Sequence, residues 1–216
     1  MVMNDADLRR QLADCRRCQN AGYQVAAPPI VSGSAAARLM VIGQAPGRVE
    51  NERTGLPFSG PAGKRLFRWL AEAGWDETEF RTINYMTAVT KCFPGANANG
   101  RGDRLPSKAE QALCRPWLET ELALVRPAMI VPVGGLAISL LLGSTLRLDQ
   151  VIGRVVARPQ DDDQLTSWAQ THLSPQARLV PLPHPSGASQ WYNRPENQAL
   201  VREAIDHLRA DRLAHL

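Results

Sequence analysis

The sequence predicts an α/β fold of three layers, with helices on both faces of a central, mainly parallel, four-stranded sheet. Short apolar runs alternate with segments whose apolar residues recur at helical spacing, the pattern of a parallel sheet covered on both sides. The long loops rich in glycine, proline and amides each follow an apolar run, so they are expected to meet at the carboxyl edge of the sheet. The length, 216 residues, suits one domain with a sizeable core, expected over 1–216.

The elements follow in order. A short helical segment carrying a CxxC pair opens the chain, and "ARLMVIG" (37–43) is the first strand, ended by glycine. "AGKRLFRWLAEAG" (62–74) is a helix with Gly74 as its cap, and the β-branched and aromatic residues of "FRTINYMTAVTKC" (80–92) predict the second strand. "SKAEQALCRPWLETELALV" (107–125) is a helix opened by Ser107 and Glu110 in capping-box spacing. "AMIVPVG" (128–134) is the third strand, and "LAISLLLG" is a short helix stopped by Gly143. A further strand is expected near 151–157, followed by an acid-rich segment read as a solvated excursion. "RLVPLPHPS" (178–186) supplies the fourth strand of the sheet, and "PENQALVREAIDHLRADRL" (195–213) a final amphipathic helix behind a proline.

Lys and Arg number 25 against 21 Asp and Glu, a mild excess that permits a nucleic-acid partner without requiring one. No apolar run approaches the roughly 18 residues a membrane span needs, and "MVMNDADLRR" carries acids and no apolar signal core. A soluble, cytoplasmic protein is expected, with no membrane partner. Four cysteines, Cys15, Cys18, Cys92 and Cys114, pair one CxxC knuckle with two distant thiols. With no secretion signal, disulfides are not expected. Four unrelated buried thiols are one reading and a single four-thiolate site is the other. Zinc takes tetrahedral thiolates and a cubane iron-sulfur cluster takes one per iron, and spacing alone does not choose between them.

"GQAPG" (43–47) lacks the GK[ST] of a phosphate loop and the GxGxxG of a dinucleotide fold. What it does resemble is more specific. "GQAPGRVENERTGLPFSGPAGKRL", then "TKCFPG", "CRPWLETEL", "RPAMIVPVGGLAISLLLG" and "HPSGAS" recur in the order found in the uracil-DNA glycosylase superfamily, in its iron-sulfur, family 4-like branch. The resemblance covers about 12–205. It implies a glycosylase fold, a structural 4Fe-4S cluster on the four cysteines, and a monofunctional enzyme that excises uracil from DNA, releasing free uracil and leaving an abasic site. A monomer is expected.

Base excision requires rotating the nucleotide out of the stack, holding its edge, and breaking the glycosidic bond as the sugar takes on oxocarbenium character. By resemblance, Phe58 stacks on the flipped base, Gly43 and Ala45 form the pocket floor, and His184 donates a hydrogen bond to the base carbonyl as charge accumulates. Ser186, with Gly187, faces DNA phosphates. For Trp191 and Tyr192, packing against the last helix and contact with DNA are both open.

The chain departs from the family pattern twice. Most relatives carry Glu where Gln44 stands, so Gln44 is expected to orient water through its carbonyl, with Glu50 as the ionisable alternative. The family's edge-reading asparagine falls on Ala88 counting back from Cys92 and on Asn84 counting forward, and Asn84 is the residue favoured. Failing both, Asn97, Asn99, Asp103 or Arg104 of the next loop would read the edge. These departures keep two alternatives open: a glycosylase for hypoxanthine or xanthine, and a uracil-DNA-binding protein without turnover. A zinc-stabilised α/β domain unrelated to DNA is a third.

Overall fold

The computed structural model describes residues 3–99, 102–186 and 190–215. In chain order its elements are α1 (Asp5–Ala13), α2 (Arg17–Asn20), β1 (Ser32–Gly33), β2 (Leu39–Gly43), α3 (Pro61–Glu72), α4 (Glu77–Ile83), β3 (Tyr85–Ala88) and α5 (Lys108–Val125). There follow β4 (Met129–Pro132), α6 (Gly135–Leu142), α7 (Leu148–Val151), β5 (Val156–Ala157), α8 (Ser167–His172), β6 (Arg178–Leu179) and α9 (Pro195–Leu213).

The sheet runs β1-β3-β2-β4-β6-β5. Its inner four strands are parallel, with Val41 between Met86 and Val131 and with Met129 beside Arg178. Every residue of β2, β3 and β4 is buried, as expected of strands covered on both faces. The four predicted strands are therefore present, and the total is corrected to six. The other two strands, β1 and β5, are two-residue antiparallel edges; β5 falls within the strand expected near 151–157, whereas β1 is too short to show a period-2 pattern.

Chain direction sets the layers. β2 leads outward to β3, and β3 leads back across β2 to β4, so right-handed crossovers place α3 and α5 on opposite faces. Accordingly α3 packs with α4 and α9, whereas α5 packs with α1, α2 and α8. The chain leaves β2 and β4 in opposite directions, which opens a crevice at their carboxyl ends.

Three further expectations are corrected. The segment read as one strand over 80–92 begins as helix α4: Asp76 accepts N–H bonds from Thr78 and Glu79 at 2.9 and 3.1 Å, and Phe80 meets Phe67 and Trp75 edge to face. Capping and aromatic packing outweigh the β preference of the run. The acid-rich segment is not a solvated excursion. Leu165, Ala169, Leu173 and Ala177 are buried in the core, and Arg158 ties the segment to Asp162 and to the Leu173 carbonyl at 2.7 Å each. The strand expected near 151–157 is likewise shorter, since Val151 ends α7. Among the described residues, no helix is long and apolar enough to cross a membrane.

Candidate functional site: a cleft at the carboxyl edge

The crevice is a cleft lined from four strand ends: 43–50 after β2, Thr87 and Ala88 of β3, Val133 after β4, and His184 and Ser186 after β6. Phe58 reaches it from the loop before α3. Its ring lies directly on the end of β2, where a Cβ on Gly43 would stand 2.7 Å from Phe58 Cζ. Only glycine leaves that space.

Phe58 itself has φ +52°, a left-handed conformation that costs a non-glycine residue about 1–2 kcal/mol. Arg81 opposes that cost. Its Nη1 donates to the Pro57 carbonyl at 2.7 Å and its Nη2 to the Phe58 carbonyl at 3.0 Å. The guanidinium is itself held by Glu77 at 2.9 Å and lies 4.3 Å from the centre of the Phe67 ring. Arg81 sits on α4, so a strand assignment over 80–92 hides it. The Asp76 N-cap signature was the signal that would have revealed the helix.

Glu50 is buried, and its Oε1 accepts the N–H groups of Ser59 and Gly60 at 3.0 and 2.9 Å. This carboxylate closes the loop that carries Phe58. Its other oxygen flanks Gly47: a Cβ there would be 2.8 Å from Glu50 Oε2 and 2.9 Å from Asp103 Oδ2. Two carboxylates thus converge beside the GQAPG turn. Partial burial pushes the Asp103 carboxyl above its ordinary value, the Arg48 N–H and guanidinium pull it back, and Glu50 adds to the rise. Gln44 and Ala45 line the same wall, both half-buried.

His184 Nδ1 accepts the Ser186 N–H at 3.3 Å, so the neutral ring carries its proton on Nε2. Burial holds its pKa below the ordinary value, against the attraction of Asp103. The ring is seated on Gly134, which has φ +86° and whose Cβ would stand 3.1 Å from His184 Cδ2.

Asn84 is not in the cleft. It is the C-cap of α4, at the amino end of β3, whereas the cleft lies at the carboxyl end. Ala88, the alternative count, does line it and brings no polar side chain. Of the other edge candidates, Asn97 and Asp103 line the cleft, while Arg104 is turned to Glu110 at 2.6 and 2.8 Å. Asn99 is not among the lining residues. Ser186 lines the cleft and its carbonyl accepts from Arg65 at 3.4 Å, while Gly187 lies outside the described residues. Trp191 and Tyr192 pack on the core, Tyr192 with its ring 5.2 Å from that of Trp69.

The four cysteines line one small cavity between α2, α5 and the segment after β3. Burial, and next the Cys114 thiol, push Cys18 up to about 11 and Cys92 to about 12. Thiolates there need a cation. Two N–H groups already face sulfur, Trp117 Nε1 to Cys15 at 3.1 Å and Lys91 N to Cys114 at 3.3 Å. Among the described residues no three His, Cys, Asp or Glu side chains are grouped to hold one metal ion. Beneath the cavity, fully buried Lys91 pairs with fully buried Glu121 at 2.8 Å and donates to the Ala88 carbonyl at 2.5 Å. Glu121 also accepts from Thr87 at 2.9 Å, which joins the thiol cavity to the cleft wall.

The family model described as the uracil DNA glycosylase superfamily matches residues 30–209. The chain belongs to that superfamily. A type-4 uracil-DNA glycosylase from Archaeoglobus fulgidus is 34% identical over 131 residues, 61% of this chain and 60% of the relative. A type-4 protein from Thermotoga maritima is 31% identical over 125 residues, 57% and 59% of the two chains. A type-5 protein from Thermus thermophilus is 33% identical over 121 residues, 51% and 52%. The chain thus spans less than two thirds of the length of these curated relatives. The cleft is lined by Gly43, Gln44, Ala45, Glu50, Phe58, His184 and Ser186, whereas Asn84, Asn99 and Arg104 are not among its lining residues. Asp103 acquires weight from its position beside the turn.

Proposed function

We propose that this chain is a monofunctional DNA glycosylase that excises uracil and leaves an abasic site. The observation that carries the reading is the pairing, in one cleft, of an aromatic ring laid on a glycine floor with a half-buried neutral imidazole whose free N–H is Nε2. Stacking on an aromatic contributes about 1–3 kcal/mol per base. A preorganised donor at a developing anion is worth about 3–4 kcal/mol in transition-state stabilisation. In this reading Phe58 receives the rotated uracil over Gly43 and Ala45, and His184 donates from Nε2 to the carbonyl oxygen that gains charge as the bond breaks. Gln44 orients the attacking water through its side-chain carbonyl. Glu50 is tied to two backbone N–H groups and serves the loop. Asp103 is then the carboxylate at the mouth that can take the water's proton. Ser186 faces the phosphates.

We further propose that Cys15, Cys18, Cys92 and Cys114 hold a structural 4Fe-4S cluster. Four thiols spread around one cavity suit a cubane with one thiolate per iron. The group would supply a rigid cross-link between the N-terminal helices, α5 and the segment after β3, within one domain that acts as a monomer in the cytoplasm.

A second reading, excision of another deaminated base, is favoured by Ala88, which leaves the edge to Asn97 and Asp103. A panel of oligonucleotides bearing uracil, hypoxanthine or xanthine separates the two. Release of uracil alone supports the first reading. Release of hypoxanthine or xanthine without uracil supports the second.

A further inference from the structure

We propose that Thr90 donates its hydroxyl hydrogen to a sulfur of the 4Fe-4S group and so guards that group against loss of iron, a proposal that rests on the cluster reading above. Thr90 lines the cavity of the four cysteines and is 5% exposed. Among the described residues, its Oγ1 is a buried polar atom with no hydrogen-bond partner. A buried hydroxyl without an acceptor is costly where valine would fill the same space.

Backbone pairing holds this hydroxyl where it is. Val89 N and Thr90 N donate to the Gly43 and Gln44 carbonyls at 2.9 and 3.2 Å, which continues the pairing of β2 with β3 past Ala88. Just beyond, Ile30 N donates to the Lys91 carbonyl at 2.7 Å and Ala26 N to the Phe93 carbonyl at 2.9 Å. The backbone on either side of Thr90 is therefore fixed by two different segments. A β-branched side chain on a fixed backbone has few rotamers, so Thr90 stays turned to the cavity. Its N–H meanwhile holds the carbonyl of Gln44, the proposed water-holder, so one residue touches the cleft turn and the thiol cavity together.

The acceptor is sulfur by elimination. Of the other polar side chains that line the cavity, Glu110 accepts from Arg104 and from Ser107 N, Lys91 pairs with Glu121, and Gln19 donates to the Val25 carbonyl at 3.2 Å. The side-chain acceptors left there are the sulfurs. Two N–H groups already face them, from Lys91 to Cys114 and from Trp117 to Cys15, and Thr90 adds an O–H. Sulfides and thiolates of a cluster carry negative charge that such donors offset. Contacts of this kind, one step outside the ligands, govern how tightly a metal group is kept.

The test compares the iron-loaded parent with Thr90→Val, Thr90→Ala and Thr90→Ser. Resonance Raman spectra of the Fe–S stretches are recorded in light and heavy water, and bleaching of the visible band by a chelator is followed in time. Thr90→Val and Thr90→Ala are expected to lose part of the deuterium shift and to bleach about tenfold faster, whereas Thr90→Ser keeps both near the parent. If Thr90→Val takes up no iron, Thr90→Ala, which adds no bulk, decides on the same readouts; iron uptake by the parent and Thr90→Ser alone also supports the bond. A deuterium shift unchanged in the variants that lack the hydroxyl, or a change shared equally by Thr90→Ser, would overturn it. A colourless parent holding zinc removes the cluster reading and the role of Thr90 together, whereas an iron-loaded parent indistinguishable from its variants removes only the role of Thr90.

Discussion

Arg81 is the residue on which the geometry of the aromatic platform turns, and Arg81→Met tests it. The substitution keeps an apolar stem near Phe67 and deletes the donors to the Pro57 and Phe58 carbonyls, at 2.7 and 3.0 Å. Hydrogen bonds from a charged donor contribute about 1.5–3 kcal/mol each. The Arg81 side chain is 17% exposed and water replaces part of what is lost, so about 2–3 kcal/mol for the pair is the reasoned figure. That exceeds the cost of about 1–2 kcal/mol for holding Phe58 left-handed, so the loop will leave its present conformation for part of the time. If the competent population falls in proportion, kcat/KM drops about 30- to 150-fold. The assay is single-turnover base release in a double-mutant cycle with Phe58→Ala. If Arg81 acts through Phe58, its loss in the Phe58→Ala background costs little. Additive losses, or an unchanged rate in Arg81→Met, would refute the argument.

Gln44→Ala is expected to lower turnover while leaving affinity for uracil DNA nearly unchanged, as read by single-turnover rates beside binding titrations; equal losses would make Gln44 structural. Asp103 has a carboxyl pKa raised above its ordinary value of 3.8, so the folded state favours the protonated form and that stabilisation is lost as pH rises through the raised value. Asp103→Asn should therefore raise the melting temperature at pH 7 relative to its effect at pH 3, where parent and variant carry the same charge at this position; a uniform shift would count against a desolvated carboxylate. Cys114→Ser should remove the visible absorbance and about one iron or more of about four per chain, and lower the melting temperature, as checked by iron assay and thermal denaturation. A colourless parent with one zinc would contradict the cubane.

Much of the frame was legible because its signals are local. The Ser107 and Glu110 spacing marks the start of α5, and the proline at 195 marks the start of α9. The apolar runs around 41 and 130 became β2 and β4. The convergence of the glycine-rich loops followed from strand direction alone. What was hidden depends on contacts between distant residues. The one local sign of α4 is the Asp76 N-cap, which the β-branched run after Phe80 outweighs in the sequence until Phe67 and Trp75 are seen to receive Phe80. Once that helix ends at Ile83, the register places Ala88 at the cleft and Asn84 at the far end of β3. Glu50 reads as an acid in a motif, and only the fold shows its oxygen accepting from Ser59 and Gly60. The edge strand β1, at two residues, lies below the length at which a pattern can be seen, and of the strand expected near 151–157 only Val156 and Ala157 form β5.

The most direct measurement incubates the purified, iron-loaded chain with uracil-bearing oligonucleotides, single- and double-stranded, and quantifies free uracil by mass spectrometry beside alkali-labile abasic sites. The two products are expected in equal amounts, with both abolished or strongly reduced by Phe58→Ala and by His184→Ala. Absence of both products on both substrates, with the cluster intact, would contradict it.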